Sequence, residues 1–230
     1  MKQLLLVLCM VFSSLVYSQE ASNTNSSDEV DYNYKEDQFY FSVTYNLLNN
    51  IPDEVSQNGF SSGFHLGFIK DMPINKARNK SIGVGLGLST NSINQNILID
   101  KDSGAYSYSI VDSEDFTKNK FSYQAVELPI EFRWRTSTPE VYKFWRVYLG
   151  FKTSYVLASK SKFKGSEGDI SHKGLDVNKL QYGVTASLGY STWNLHVYYG
   201  LNPIFKDSAK LNDKQIDLKQ IRIGMIFYLL

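Results

Sequence analysis

The stretch Phe121–Leu157 constrains the fold more than any other part of the chain. From Val126 its residues alternate, with Val126, Leu128, Ile130, Phe132 and Trp134 on one face and Glu127, Pro129, Glu131, Arg133 and Arg135 on the other. A polar break from Thr136 to Glu140, containing Pro139, interrupts the pattern. It resumes with Trp145, Val147, Leu149, Phe151, Tyr155 and Leu157 against Arg146, Tyr148, Gly150, Lys152 and Ser154. Side chains alternate with period two along a strand, so this is a strand pair with one apolar and one charged face.

Beyond Gln38 no run approaches the roughly 18 apolar residues that a membrane-crossing helix needs. The alternation recurs instead. Phe39, Phe41, Val43, Tyr45 and Leu47 share a face, as do Phe60, Phe64, Leu66 and Phe68, and then Ile82, Val84, Leu86 and Leu88. After the central pair come Leu180, Tyr182, Val184, Ala186, Leu188 and Tyr190, and then Trp193, Leu195, Val197, Tyr199 and Leu201. Ile221, Ile223, Met225, Phe227 and Leu229 close the chain. These segments make eight strands, an even number. Their lengths suit tilted membrane-spanning strands of about 9–11 residues.

Connection lengths set the topology. Asn49–Asn58, Asn91–Lys120, Lys160–Val177 and Pro203–Gln215 are long or polar, whereas Asp71–Asn79, Thr136–Tyr142 and Ser191–Thr192 are short. Outer-membrane barrels have short periplasmic turns and longer extracellular loops. The face opposite the apolar one carries Gly63, Gly67, Gly83, Gly85, Gly87, Gly150, Gly183, Gly189, Gly200 and Gly224, ten of the fifteen glycines. An eight-stranded barrel is only just wide enough to be filled by side chains, so the small and charged face belongs inside and the apolar face meets lipid. A lipocalin-like soluble barrel is the competing arrangement, with its apolar face inward. The reading is an all-β, eight-stranded antiparallel up-and-down transmembrane β-barrel with a polar, side-chain-filled lumen. Trp134, Trp145 and Trp193, the only tryptophans, fall at the short-turn ends of strands and predict a periplasmic aromatic girdle.

The flanks read differently. Residues 1–18 combine Lys2 with an apolar run from Leu4 to Met10 and suit a secretory signal peptide. Residues 19–37 are polar and acidic and predict a flexible periplasmic tail, leaving 38–230 as the barrel. Cys9, the single cysteine, lies in the signal region, so no disulfide or cysteine metal site is expected in the mature chain. Loss of Lys2 balances 23 basic against 23 acidic residues, and nothing in that balance suggests nucleic acid.

The segment Gly63-Phe64-His65-Leu66-Gly67-Phe68-Ile69-Lys70-Asp71-Met72-Pro73-Ile74-Asn75, followed by Gly83-Val84-Gly85-Leu86-Gly87-Leu88, resembles the PorT-like outer-membrane β-barrel family of the Bacteroidetes. So does Ala125-Val126-Glu127-Leu128-Pro129-Ile130-Glu131-Phe132-Arg133-Trp134. The resemblance spans roughly Phe39 to the C-terminus. It implies a barrel fold, and for some members a link to a secretion system. The terminal Arg222-x-Gly224-x-x-Phe227-x-Leu229 is similar to the signal that barrel assembly machinery reads, with Leu229 where an aromatic is usual.

Chemistry is sparse. His65 and His196 fall on the luminal face and His172 in a loop, with no serine–histidine pair evident from sequence. Catalysis must be argued from a site, so a lipid A-modifying enzyme is an alternative and a non-enzyme the expectation. No metal motif or cofactor motif is present, and Gly83-x-Gly85-x-Gly87 is a row of lumen fillers, not a phosphate cradle. Glu127, Glu131, Arg133, Arg135, Arg146, Lys152 and Arg222 share the lumen and predict a charge-paired plug, with an ion path as the alternative. A turn centred near Pro139–Glu140 would set Glu127 level with Lys152 and Glu131 against Arg146. Ile93, Ile97 and Ile99, with Tyr106, Tyr108 and Ile110, predict that the third and fourth strands continue as an extracellular flap around Asp102-Ser103-Gly104. The functional expectation is a monomeric structural or accessory barrel without an open pore, with outer-membrane lipid, the assembly machinery and an envelope complex as partners. A narrow channel or surface adhesin is a further alternative.

Overall fold

The computed structural model describes residues 37–102, 104–136, 144–166 and 168–229. The signal-peptide reading, the tail up to residue 36 and the turn around Pro139–Glu140 lie outside the described residues. The strands are β1 (Gln38–Asn49), β2 (Ser62–Pro73), β3 (Lys80–Asn94), β4 (Ile97–Asp102), β5 (Ala105–Ile110), β6 (Phe116–Arg135) and β7 (Trp145–Gly165). They continue as β8 (Gly168–Lys173), β9 (Leu180–Tyr190), β10 (Trp193–Gly200), β11 (Lys210–Leu211), β12 (Lys214–Gln215) and β13 (Lys219–Leu229). The order β6-β3-β2-β1-β13-β10-β9-β7 returns to β6 and closes eight antiparallel strands, while β8 is an appendage on β7. Each barrel strand neighbours the next in the chain, giving the up-and-down topology. Closure matters because an open sheet would leave unpaired backbone groups in hydrocarbon.

The alternation resolves as expected. Phe39, Leu66, Leu86, Leu149, Leu157 and Leu188 are among the exposed large apolar residues, whereas Glu127, Arg133, Arg135, Lys152 and Arg222 are buried in the lumen. Trp134, Trp145 and Trp193 are exposed at the short-turn end. Trp145 packs on Tyr190 with ring centres 5.3 Å apart, and Trp193 meets Phe227 edge-on at 5.6 Å.

The β6–β7 register departs from the sequence expectation. Glu127 faces Ser154, Pro129 faces Lys152, Glu131 faces Gly150 and Arg135 faces Arg146. Parity is as anticipated, but the pairing centre lies one residue later, which moves every partner by two. Beyond the bulge between the pairs Ala125↔Val156 and Gln124↔Ala158, β6 and β7 run on above the apolar band to Phe116↔Gly165. There β8 adds a third strand from Lys160↔Lys173 to Gly165↔Gly168.

The flap exists, but not as a continuation of the barrel strands. β4 and β5 pair only with each other, from Ile97↔Ile110 to Asp102↔Ala105. The chain leaves β3 at Asn94, and Asn96 is tied to the first loop: its Nδ2 donates to the Glu54 carbonyl at 2.9 Å and its Oδ1 accepts from the Ser56 amide at 2.7 Å. The hairpin is thereby turned onto an apolar cluster that the polar-loop reading missed. Ile97, Ile99 and Tyr108 join Val55 of the first loop, Leu175 and Val177 of the third, and Ile204, Phe205, Ile216 and Leu218 of the fourth. Phe121, Tyr123 and Val156 of the wall complete it. Phe205 is its hub, with ring centres 5.2 Å from Phe121 and 5.8 Å from Tyr108. All four long connections thus bury apolar side chains together at one end of the barrel.

Amides of Ile97–Ile110 should therefore exchange slowly in folded protein, because protection tracks buried, hydrogen-bonded structure. Exchange at the rate of an unstructured peptide, read by mass spectrometry in detergent or nanodiscs, would contradict this packing.

Candidate functional site

The lumen is the place where unusual chemistry collects, and glycines make room for it. A Cβ on Gly83 would lie 2.8 Å from Arg133 Nε, and one on Gly67 would lie 2.7 Å from Tyr40 Cε1. One on Gly183 would lie 2.7 Å from the Tyr198 ring. The small residues are seats for long ones reaching across from other strands. Tyr40, Tyr148, Tyr198 and Tyr228 are buried among them, together with Ile69 and Ile226. The sequence pattern placed Tyr148 on this face but not Tyr40, Tyr198 or Tyr228, so most of this aromatic layer was not anticipated.

Two charge clusters follow one another down the interior. In the first, the fully buried Glu127 carboxylate receives Arg222 Nη1 at 3.0 Å and Lys152 Nζ at 3.2 Å, with His65 Nδ1 at 3.1 Å. Four strands, β2, β6, β7 and β13, meet on this one acid. Arg222 also donates from Nη2 to Tyr123 Oη at 3.0 Å and Gln220 Oε1 at 3.1 Å, and its guanidinium lies 4.3 Å from the Tyr198 ring centre. In the second cluster Asp71 accepts from Arg135 Nη2 at 2.9 Å, Arg133 Nη1 at 3.3 Å and Ser81 Oγ at 2.6 Å. Arg133 Nε donates to Glu131 at 3.1 Å, and its guanidinium stacks 4.7 Å from the Tyr148 ring centre. A charge removed from water must be matched by opposite charge and hydrogen bonds. Asp71 and Glu131 balance Arg133 and Arg135 in the second cluster, whereas in the first Glu127 alone faces both Arg222 and Lys152.

Of the sequence-expected network, Glu127, Lys152 and Arg222 come together in one cluster and Glu131, Arg133 and Arg135 belong to the other. Glu127 and Lys152 do pair, diagonally instead of level. Arg146 does not join. It lies against the Phe144 ring at 4.2 Å and donates to the Ser191 carbonyl at the short-turn end, so the expected Glu131–Arg146 pair is absent. The later register is the cause, since it carries Arg146 opposite Arg135. Asp71 was missed because the sequence reading began the short connection Asp71–Asn79 at that residue; β2 in fact runs through Pro73 and turns Asp71 inward.

Histidines also need correction. His65 and His196 are luminal as expected, but His172 is in β8, its Nε2 2.9 Å from Asp100 Oδ1 of the flap. The Lys101 amide and His172 together hold the Asp100 carboxyl below its ordinary range. A serine–histidine pair does form: Ser187 Oγ and His196 Nδ1 are 2.8 Å apart, both buried in the lumen. It arises from β9 and β10 facing each other at Ser187↔His196. Among the described residues no group of three or more His, Cys, Asp or Glu could hold a metal ion.

No curated protein matches the sequence. Among solved structures, the chain is similar to Ail, the attachment invasion locus protein of Yersinia pestis, at 16% identity over 84% of this chain and 99% of that one, with a TM-score of 0.32. The same protein in complex with the heparin analogue sucrose octasulfate gives 15% identity, the same coverages and a TM-score of 0.31. The model of the outer membrane protein β-barrel domain matches residues 17–206. That match covers most of the chain, the closed eight-stranded wall agrees with it, and the chain belongs to the outer membrane protein β-barrel domain family.

Proposed function

We propose that this outer-membrane barrel is a non-conducting structural or accessory component that displays a compact extracellular cap. The observation that carries the reading is the double obstruction of the lumen. Glu127, with Arg222, Lys152 and His65, fills the middle, and the cluster around Phe205 covers the extracellular mouth. An ion would have to displace a buried charge network and an apolar layer in turn, and each is costly to open. The cap joins four loops into one surface, which suits docking to other envelope proteins. The resemblance of Gly63–Asn75 and Ala125–Trp134 to PorT-like barrels supports a place beside an envelope or secretion-associated assembly. The Ser187–His196 pair has a structural role in this reading, because both groups face the filled lumen and not the lipid.

Purified protein in planar bilayers should give no steady conductance steps, and reproducible ohmic channels from the folded monomer would overturn the closed-lumen reading. Affinity purification from the native envelope tests the assembly role. Recovery of the barrel alone under gentle detergent would count against it.

A further inference from the structure

The outer face of the β6–β7–β8 extension carries a charge pattern that the barrel itself does not explain. Lys118 faces Lys164 and Lys120 faces Lys162 across β6–β7, while Lys160 faces Lys173 across β7–β8. Like charges directly opposite on one sheet face repel. Among the described residues, the only acid paired within this set is Asp169, 3.4 Å from Lys164. Among the described residues, Lys118, Lys120, Lys160, Lys162 and Lys173 have no carboxylate in ion-pair range. Burial, with Lys118, Lys162 and Lys160 around it, pulls the Lys120 ammonium below its ordinary range. Such a ladder calls for an anion from outside the chain.

Beside the ladder the barrel wall has a gap. β7 pairs with β9 up to Tyr155↔Leu180 and with β8 from Lys160↔Lys173. Between them the chain turns away at Gly174, whose φ of +72° suits the left-handed turn, and sends Leu175 and Val177 into the cap. Only the bonds from Gly174 N to Ser159 O at 2.9 Å and from Val156 N to Lys179 O at 2.8 Å cross this interval. A cavity of about 630 Å³ opens here and reaches across β7 to Thr90, Ser122 and Gln124 of β3 and β6. Buried Tyr123, Val156, Leu175 and Val177 form its apolar floor, and exposed Lys160, Lys173 and Lys179 stand at its edge. Lys206, also at the edge, is engaged with Asp176 at 2.8 Å.

Height decides the occupant. Tyr155 and Leu157 are the last lipid-facing apolar residues of β7, and Lys160 is the first lysine above them. The cavity opens beside Leu157, at the boundary between acyl chains and headgroups. We propose that this cleft and the lysine ladder bind the phosphorylated headgroup of an outer-leaflet glycolipid. Its phosphates would lie on Lys160, Lys173 and their neighbours and its acyl chains along Leu157 and Tyr155. The volume is in the range of headgroup-sized ligand sites. The inference goes beyond the closed-barrel reading and uses only the membrane placement, so its failure would leave that reading standing.

The test uses the full chain in nanodiscs, titrated with diphosphoryl lipid A, with dephosphorylated lipid A and with inorganic phosphate, read by native mass spectrometry and thermal unfolding. Binding is expected for the diphosphoryl lipid, weakening with added salt. The double variant Lys160→Gln/Lys173→Gln should bind about tenfold or more weakly, from the loss of two charges at a lipid surface. Lys214→Gln, on the separate β11–β12 hairpin, should bind normally. Equal binding of the dephosphorylated lipid would overturn the proposal. Saturation by inorganic phosphate at the same concentrations would reduce it to a plain anion surface and so overturn the lipid assignment. Should the double variant fail to fold, an absence of salt dependence in the unmodified protein would be equally decisive against it.

Discussion

Replacing Glu127 with alanine should destabilise the barrel by about 3–5 kcal/mol, the usual consequence of leaving buried charge without its partner. Two cations and His65 surround that carboxylate within 3.2 Å, and among the described residues no other acid is placed to serve both cations. Urea unfolding in detergent or lipid measures the loss, and the folded band on an unboiled detergent gel should shift to lower temperature. Glu131→Ala should cost less, since its contact is a single Arg133 Nε at 3.1 Å and Arg133 keeps Asp71 at 3.3 Å. Combined with Arg146→Ala it should be additive to within about 0.5 kcal/mol, because the two side chains share no partner. A change of under about 1 kcal/mol for Glu127→Ala, below the range for buried pairs, would mean that water reaches the first cluster and screens it.

Phe205→Ala should be of similar size but different in kind. Removing a buried aromatic ring from a packed core costs about 3–5 kcal/mol. Phe205 is 1% exposed and touches Phe121 of the wall and Tyr108 of the flap. The cost should fall on the cap: amides of Ile97–Ile110 should lose protection and the loops become open to protease, while β1, β2 and β13 keep theirs. Loss of protection spread evenly over the barrel strands would show that cap and barrel unfold as one unit.

The eight strands, the lipid-facing rows and the tryptophan girdle were legible because a membrane barrel writes its two faces into the odd and even positions of every strand. Glu127, Lys152 and Arg222 were legible for the same reason. What the pattern could not give was pairing. Parity fixes the face of a residue, whereas a partner across the sheet depends on a turn length that two residues can alter, as the Glu131–Arg146 expectation demonstrates. Asp71 was hidden because the short connection was read as starting there, whereas β2 continues to Pro73. The cap was hidden because its members come singly, as Val55 does, or in short pairs such as Leu175 with Val177, Ile204 with Phe205 and Ile216 with Leu218, too few to set a period. Ser187 and His196 lie on adjacent strands at equal distance from a two-residue turn, so their meeting could have been found by counting outward from Ser191–Thr192.

The seam between β1 and β13 joins the first and last strands of the barrel, from Phe39↔Leu229 to Asn49↔Lys219. Hairpins such as β6–β7 form from neighbouring sequence, but this seam closes a loop of nearly the whole barrel, the slowest kind of contact to make. Arg222 rides on β13, so Glu127 gains that partner only when the last strand is in place. A half-built barrel therefore holds Glu127 paired with Lys152 alone, and the final strand adds a second cation that also reaches Tyr123 of β6. Electrostatics in this lumen acts as a latch on closure: the contacts that tie the last strand to the far wall exist only in the finished cylinder.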